Sequence, residues 1–208
     1  MIDALGRASR RSAAVLGLLA ACGLGVSAEQ SGPYEAASKN ENSAVVWTPE
    51  RSMQDWPERS RLAARLLMVK YGAPASYDDA SVTWYGNGQW LRSVVYRDAP
   101  PSAGAADVLE QTIVYLVPDE KAAALKRFDG RVQYDKVLAE LSVRSSSEDL
   151  NFLAMNLAIE IVNDVRKPAD ARAFYRKTIE LAASGKSSRY TESLLFPIVT
   201  GWQTDDGL

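Results

Sequence analysis

The sequence predicts an α+β fold: an antiparallel sheet of three to five strands with helices packed on one face. Three observations predict it. Ser81 to Arg97 reads as a β-hairpin, two runs rich in Val, Trp, Tyr and Thr around Gly86-Asn87-Gly88. Glu110 to Val117 is a further β-branched run, and these strands precede a block of helices. The stretch from Ser145 to about Val165 is apolar on more than one face, as a helix buried against a sheet must be.

The chain has 208 residues, 47% hydrophobic and 24% charged, which suits a core of ordinary size. Its formal net charge of −2 offers no basic field for nucleic acid, so no nucleic-acid partner is expected. It contains no histidine and one cysteine, Cys22. Ser-His-Asp and Cys-His catalysis, disulfide frameworks and Cys-based zinc sites are thereby excluded, and neither metal nor cofactor is expected.

The N-terminus has the parts of an export signal. Arg7, Arg10 and Arg11 supply positive charge, and Ala13 to Ala21 an apolar run too short to span a bilayer. Two cleavage readings remain open. Leu19-Ala20-Ala21-Cys22 resembles a bacterial lipobox, which makes Cys22 a lipidation site and residues 1–22 the signal. Val26-Ser27-Ala28 fits ordinary signal peptidase, with the signal ending at 28. Residues 23–46 are poor in large apolar side chains and read as a flexible linker. A single α+β domain is expected over 47–202, with a tail at 203–208.

Within the domain, the first helix is expected from about Trp56 to Tyr71, capped by Asp55 with Glu58, with Leu62, Leu66 and Val69 as its apolar stripe. Arg59, Arg61, Arg65 and Lys70 read as a solvated face. In the hairpin, Asn87-Gly88 is the expected turn, which opposes Tyr85 to Trp90, Thr83 to Arg92 and Trp84 to Leu91. Val82, Trp84, Leu91 and Val95 then form a core face. Tyr85, Trp90, Arg92, Val94 and Tyr96 form the other. Pro118 opens a short helix that closes at Gly130. Val132 to Tyr134 and Ala139 to Ser145 read as one or two more strands, although Lys136 to Leu141 also suits a helix. Ser145 with Glu148 resembles a capping box for the buried helix, and Pro168 starts a last helix ending near Gly185.

Few residues suggest chemistry. Ser184-Gly185-Lys186-Ser187-Ser188 is not a P-loop, because Glu180 stands where the first glycine belongs and a helix precedes it. Asn151 and Asn156 either satisfy themselves in the core or line a pocket. Tyr85, Trp90, Arg92 and Tyr96 have the composition of a partner surface, provided the apolar ESLLFPIV run does not cover them.

The segments WTPERSMQDWPERSRLAARLLMVKYGAP, VTWYGNGQWLRSVVYR, YLVPDEKAAALKRFDG and EDLNFLAMNLAIEIV resemble a family of small exported bacterial proteins of lipoprotein type without an assigned function. The resemblance covers about Trp47 to Arg176 and implies no catalytic residue. The helix, stop and hairpin order is also loosely similar to small outer-membrane lipoproteins of the assembly machinery. Three functions stay open: a lipid-anchored envelope protein that binds other envelope components, a periplasmic small-molecule binder, and a hydrolase using Ser, Lys or carboxylate chemistry. The expected partners are the membrane, through an N-terminal lipid, and an envelope protein.

Overall fold

The computed structural model describes residues 48–198 apart from 102, 103 and 105. Cys22, both signal-cleavage sites, the linker over 23–46 and the tail at 203–208 lie outside the described residues. The expected α+β architecture is present. Its elements are α1 (Pro49–Ser52), α2 (Glu58–Tyr71), β1 (Ser76–Tyr77), β2 (Ser81–Asn87), β3 (Trp90–Tyr96), β4 (Leu109–Val114), α3 (Asp119–Phe128), β5 (Val132–Asp135), β6 (Glu140–Ser145), α4 (Glu148–Val162) and α5 (Pro168–Ala183). A 3-10 turn, Arg189–Thr191, follows. The strands form one antiparallel sheet in the order β1-β2-β3-β4-β6-β5. Six strands exceed the expected three to five, since the two-residue β1 carries no periodic signal.

One face of the sheet is the core face. Val82, Trp84, Val95, Leu109, Ile113, Leu141 and Val143 alternate along their strands and are buried there. Helix α2 covers the β2–β4 end with Ala63, Ala64 and Leu67, joined by Met53 and Trp56. Helix α4 covers the β4–β6 end with Phe152, Leu153, Leu157 and Ile161, backed by α3 and α5. Eleven of the fifteen α4 residues are buried, as its all-round apolarity requires.

The hairpin turn differs from expectation by one residue. Gly88-Gln89 turns, Asn87 opposes Trp90, Tyr85 opposes Arg92 and Trp84 opposes Ser93. Gly88 has φ +63° and neither Asn87 nor Gln89 has a positive φ. A positive φ at the first central residue alone is the II′ pattern, which selects Gly-X over the Asn-Gly of type I′. The pairing has slipped by two positions in total, so Trp84 keeps the core face assigned to it.

Trp90 does not keep its face. It is 2% exposed and stacks on Phe152 of α4 at 5.0 Å between ring centroids, so its place on an exposed aromatic face is corrected to the core. The cause is Gly86, which sits inside β2 with φ +57°. A left-handed residue interrupts the regular pleat, and beyond it Asn87 and Trp90 point to the helix side. Asn87 there gives its amide to Ser93 Oγ at 2.9 Å.

Two helix starts also shift. Pro57, without a side-chain cap, precedes α2, and Ser147 rather than Ser145 caps α4 by accepting from the Leu150 amide. The expected stripe of α2 is on the outside: Leu62, Leu66 and Val69 are 52%, 58% and 87% exposed. The small residues Ser60, Ala63 and Ala64 are inside because the helix lies close on Trp84 and Val95. At the other end, Gly185 closes α5 with a Schellman pattern, Lys186 N–H to Leu181 C=O and Gly185 N–H to Ala182 C=O. The Ser184 to Ser188 string is therefore a helix terminus.

Candidate functional site

The face of the sheet opposite the core carries no helix among the described residues. Its two central rows follow from the strand register. One runs Thr83, Val94, Glu110, Arg144 and the next Tyr85, Arg92, Thr112, Ser142, Gln133. Thr83, Val94 and Thr112 in these rows are buried. Arg144 places both Nε and an Nη on Glu110 Oε2, at 3.2 and 2.6 Å, directly across the β4–β6 ladder. Its guanidinium stacks on the Tyr96 ring at 4.1 Å. Tyr96 in turn donates its hydroxyl to Glu110 at 3.4 Å. Partial burial, then the Glu110 charge, pushes the Tyr96 phenol above its ordinary value. Arg92 reaches diagonally to Glu140 at 2.8 Å. Tyr85 stands beside Arg92 and is 62% exposed.

Of the four residues expected on a partner surface, Tyr85, Arg92 and Tyr96 are therefore here and Trp90 is not. Glu110, Glu140 and Arg144 were not anticipated. The polar residues at period two, Glu110 and Thr112 in EQTIVYLV and Glu140, Ser142 and Arg144 in ELSVRS, were the available signal, but only the register joins Glu110 to Arg144. The described part of the ESLLFPIV run, residues 192–198, packs on the helix side and not on this face. Leu194 is buried in the core on the helix side, and Gln89 holds it with two hydrogen bonds, from its amide to the Leu194 carbonyl and from the Leu194 N–H to its oxygen.

A second cluster lies on the helix side, around Glu148 in the first turn of α4. Its Oε1 accepts from Tyr71 Oη at 2.6 Å, Trp90 Nε1 at 2.8 Å and Gln111 Nε2 at 3.1 Å. Its Oε2 accepts from Lys70 Nζ at 2.5 Å. Burial pushes this carboxyl up, but the hydrogen bonds from Lys70, Tyr71, Gln111 and Trp90 outweigh it, and the net direction is down. Tyr71 moves the other way: burial and its bond to Glu148 push its phenol up to about 12. A carboxylate engaged by four donors and held ionised is a poor proton acceptor. It ties α2, β3 and β4 to α4. The same bond commits Lys70 to a carboxylate rather than to a serine, so this cluster does not form a Ser-Lys pair. Asp149 beside it is exposed.

The asparagines are structural. Asn151 donates to the Leu109 carbonyl and to Gln111 Oε1. Asn156 donates to the carbonyls of Tyr190 and Ser193 and accepts from the Leu195 N–H, which seats the C-terminal segment on α4. Among the described residues, no group of three or more His, Cys, Asp or Glu is placed to hold a metal ion. Among them also, no helix is long and apolar enough to cross a membrane. Comparison with protein families, with characterised proteins and with solved structures finds no match.

Proposed function

We propose that this chain is an exported, lipid-anchored envelope protein that binds another envelope component through the outer face of its sheet. The observation that carries the binding role is the arrangement of Tyr85, Arg92 and Tyr96 with Glu110, Glu140 and Arg144 on a sheet face without a covering helix. Arg92 and Arg144 are held by carboxylates, and Arg144 also by a ring. Their guanidinium planes are thus oriented before a partner arrives, which lowers the ordering cost of association. Exposed Tyr85 supplies a large, stiff contact at the edge of this group. The anchor rests on Leu19-Ala20-Ala21-Cys22 directly after the apolar run. The resemblance to small exported bacterial proteins favours the same compartment, the periplasmic side of a bacterial membrane.

Two measurements test the reading. A fatty-acid analogue should label the chain in cells, and Cys22→Ser should abolish the label. A mature protein that begins at Glu29 and carries no acyl group overturns the anchor. In the envelope, cross-links formed by wild type should be lost in Tyr85→Ala with the melting temperature unchanged, and kept in Val137→Ala. Unchanged cross-links in Tyr85→Ala overturn the partner face.

A further inference from the structure

The outer side of α2 presents an apolar stripe between cations. Leu62, Leu66 and Val69 fall within an arc of about 60° and span roughly 10 Å of the helix. They lie opposite the buried Ala63, Ala64 and Leu67 and are 52%, 58% and 87% exposed. Arg59 and Lys70 border the stripe on one side, Arg61 and Arg65 on the other. On the Arg61 side the surface opens into a polar cleft lined by Thr48, Glu50, Arg51, Gln54, Arg61 and Arg65. Three of these six are arginines and one is a carboxylate. Arg61 pairs with Glu58 and donates to the Gln54 carbonyl, yet its buried Nε has no partner among the described residues. Arg51, Arg59 and Arg65 enter no ion pair among the described residues.

We infer that this face of α2 lies on an anionic phospholipid surface, with Leu62, Leu66 and Val69 at the acyl boundary and Arg51, Arg59, Arg61 and Arg65 on lipid phosphates. An exposed apolar stripe bordered by basic side chains is the surface that an interfacial contact presents to lipid. The charges are complementary, since anionic headgroups meet three arginines that have no ion pair among the described residues. The chain is also within reach. Residues 23–47 separate Cys22 from Thr48, 25 residues that extend at most roughly 85 Å. This inference rests on the lipid-anchor reading and adds an orientation to it. The stripe points away from the sheet, so the face with Tyr85, Arg92 and Tyr96 is turned from the lipid toward the compartment.

The test uses the full chain with Cys22→Ser, which bears no acyl group, so its outcome does not depend on lipidation. Leu66→Cys then supplies a single thiol for an environment-sensitive fluorophore. Vesicles of phosphatidylglycerol and phosphatidylcholine should shift its emission to the blue, and vesicles of phosphatidylcholine alone should not. Arg59→Ala with Arg65→Ala should weaken the anionic vesicle response about tenfold or more, and Leu62→Ser about tenfold. The same fluorophore at Val165→Cys, beyond the far end of α4, should not respond. Absence of a shift at position 66, or an equal shift at 165, overturns the inference. A stripe that serves a protein partner gives no shift with either vesicle. Absence of fatty-acid labelling on the chain with Cys22 intact, together with a retained shift at 66, would overturn the anchor alone.

Discussion

Trp90 donates its indole N–H to Glu148 Oε1 at 2.8 Å while its ring stacks on Phe152 one helical turn further along α4. A residue at the tip of the hairpin is thus held at both ends by the helix that covers the sheet. Trp90→Ala should remove the stack and the hydrogen bond together and cost roughly 3–5 kcal/mol in urea unfolding. Trp90→Phe retains an aromatic ring for the stack but loses the indole N–H, and should cost roughly 1–2 kcal/mol. A Trp90→Ala protein as stable as wild type would mean the ring is not in the core.

Glu148 should make stability pH-dependent with a definite sign. Its folded pKa lies below its ordinary value of 4.5, so the folded state binds fewer protons than the unfolded chain near that pH. Its contribution is complete above the unfolded value and is lost as pH falls through the folded one. Glu148→Gln should be less stable than wild type near neutral pH, by roughly 2–3 kcal/mol. The gap should narrow as the pH falls below the ordinary carboxylate range. A gap that is constant with pH would show that the carboxylate charge is not what the four donors hold.

The two left-handed glycines of the hairpin should differ. At Gly86, with φ +57°, an added Cβ meets nothing within 4 Å, so Gly86→Ala should cost only the backbone strain, roughly 1–2 kcal/mol. At Gly88, with φ +63°, the Cβ would stand 2.9 Å from Tyr71 Oη, the hydroxyl that donates to Glu148. Gly88→Ala should therefore cost more, and the excess should vanish in a Tyr71→Ala background. Equal costs in both backgrounds would remove Tyr71 from contact with the turn.

The Glu110–Arg144 pair should couple measurably. Its side chains are 21% and 19% exposed, and the Tyr96 ring backs the guanidinium. A double-mutant cycle with Glu110→Ala and Arg144→Ala should give about 0.5–1 kcal/mol. Most of it should persist at about 0.5 M salt, because partly buried charges are poorly screened. A coupling of zero would describe a solvated pair with freely moving side chains.

Wherever a signal is local, the sequence carried it. β-Branched runs, the Pro and Gly punctuation of α3 and α5, and the all-round apolarity of α4 each depend on neighbours within a few residues, and each element lies within about three residues of its expected bounds, β4 ending at Val114 instead of Val117 and α4 at Val162 instead of Val165. Trp84 was legible as core because period-2 alternation survives an error of one residue in the turn. The choice between Asn87-Gly88 and Gly88-Gln89 was not legible, since both are acceptable hairpin turns and the strand pairing decides between them. Trp90 was misplaced for a related reason: alternation holds only while the pleat is regular, and Gly86 interrupts it.

For α2 the periodicity was correct but its direction was inverted. Leu62, Leu66 and Val69 share a face, and hydrophobicity alone assigns that face to the core. The helix packs instead by Ser60, Ala63 and Ala64, because a close approach to Trp84 needs small side chains, and that requirement is set by the sheet. Glu148 shows the general limit. Its donors Lys70, Tyr71, Trp90 and Gln111 lie 37 to 78 residues away in the chain. Nothing in a local pattern couples residues at such separations. Only the packing of α4 across the hairpin brings four donors to one carboxylate, just as only the β4–β6 register sets Arg144 on Glu110.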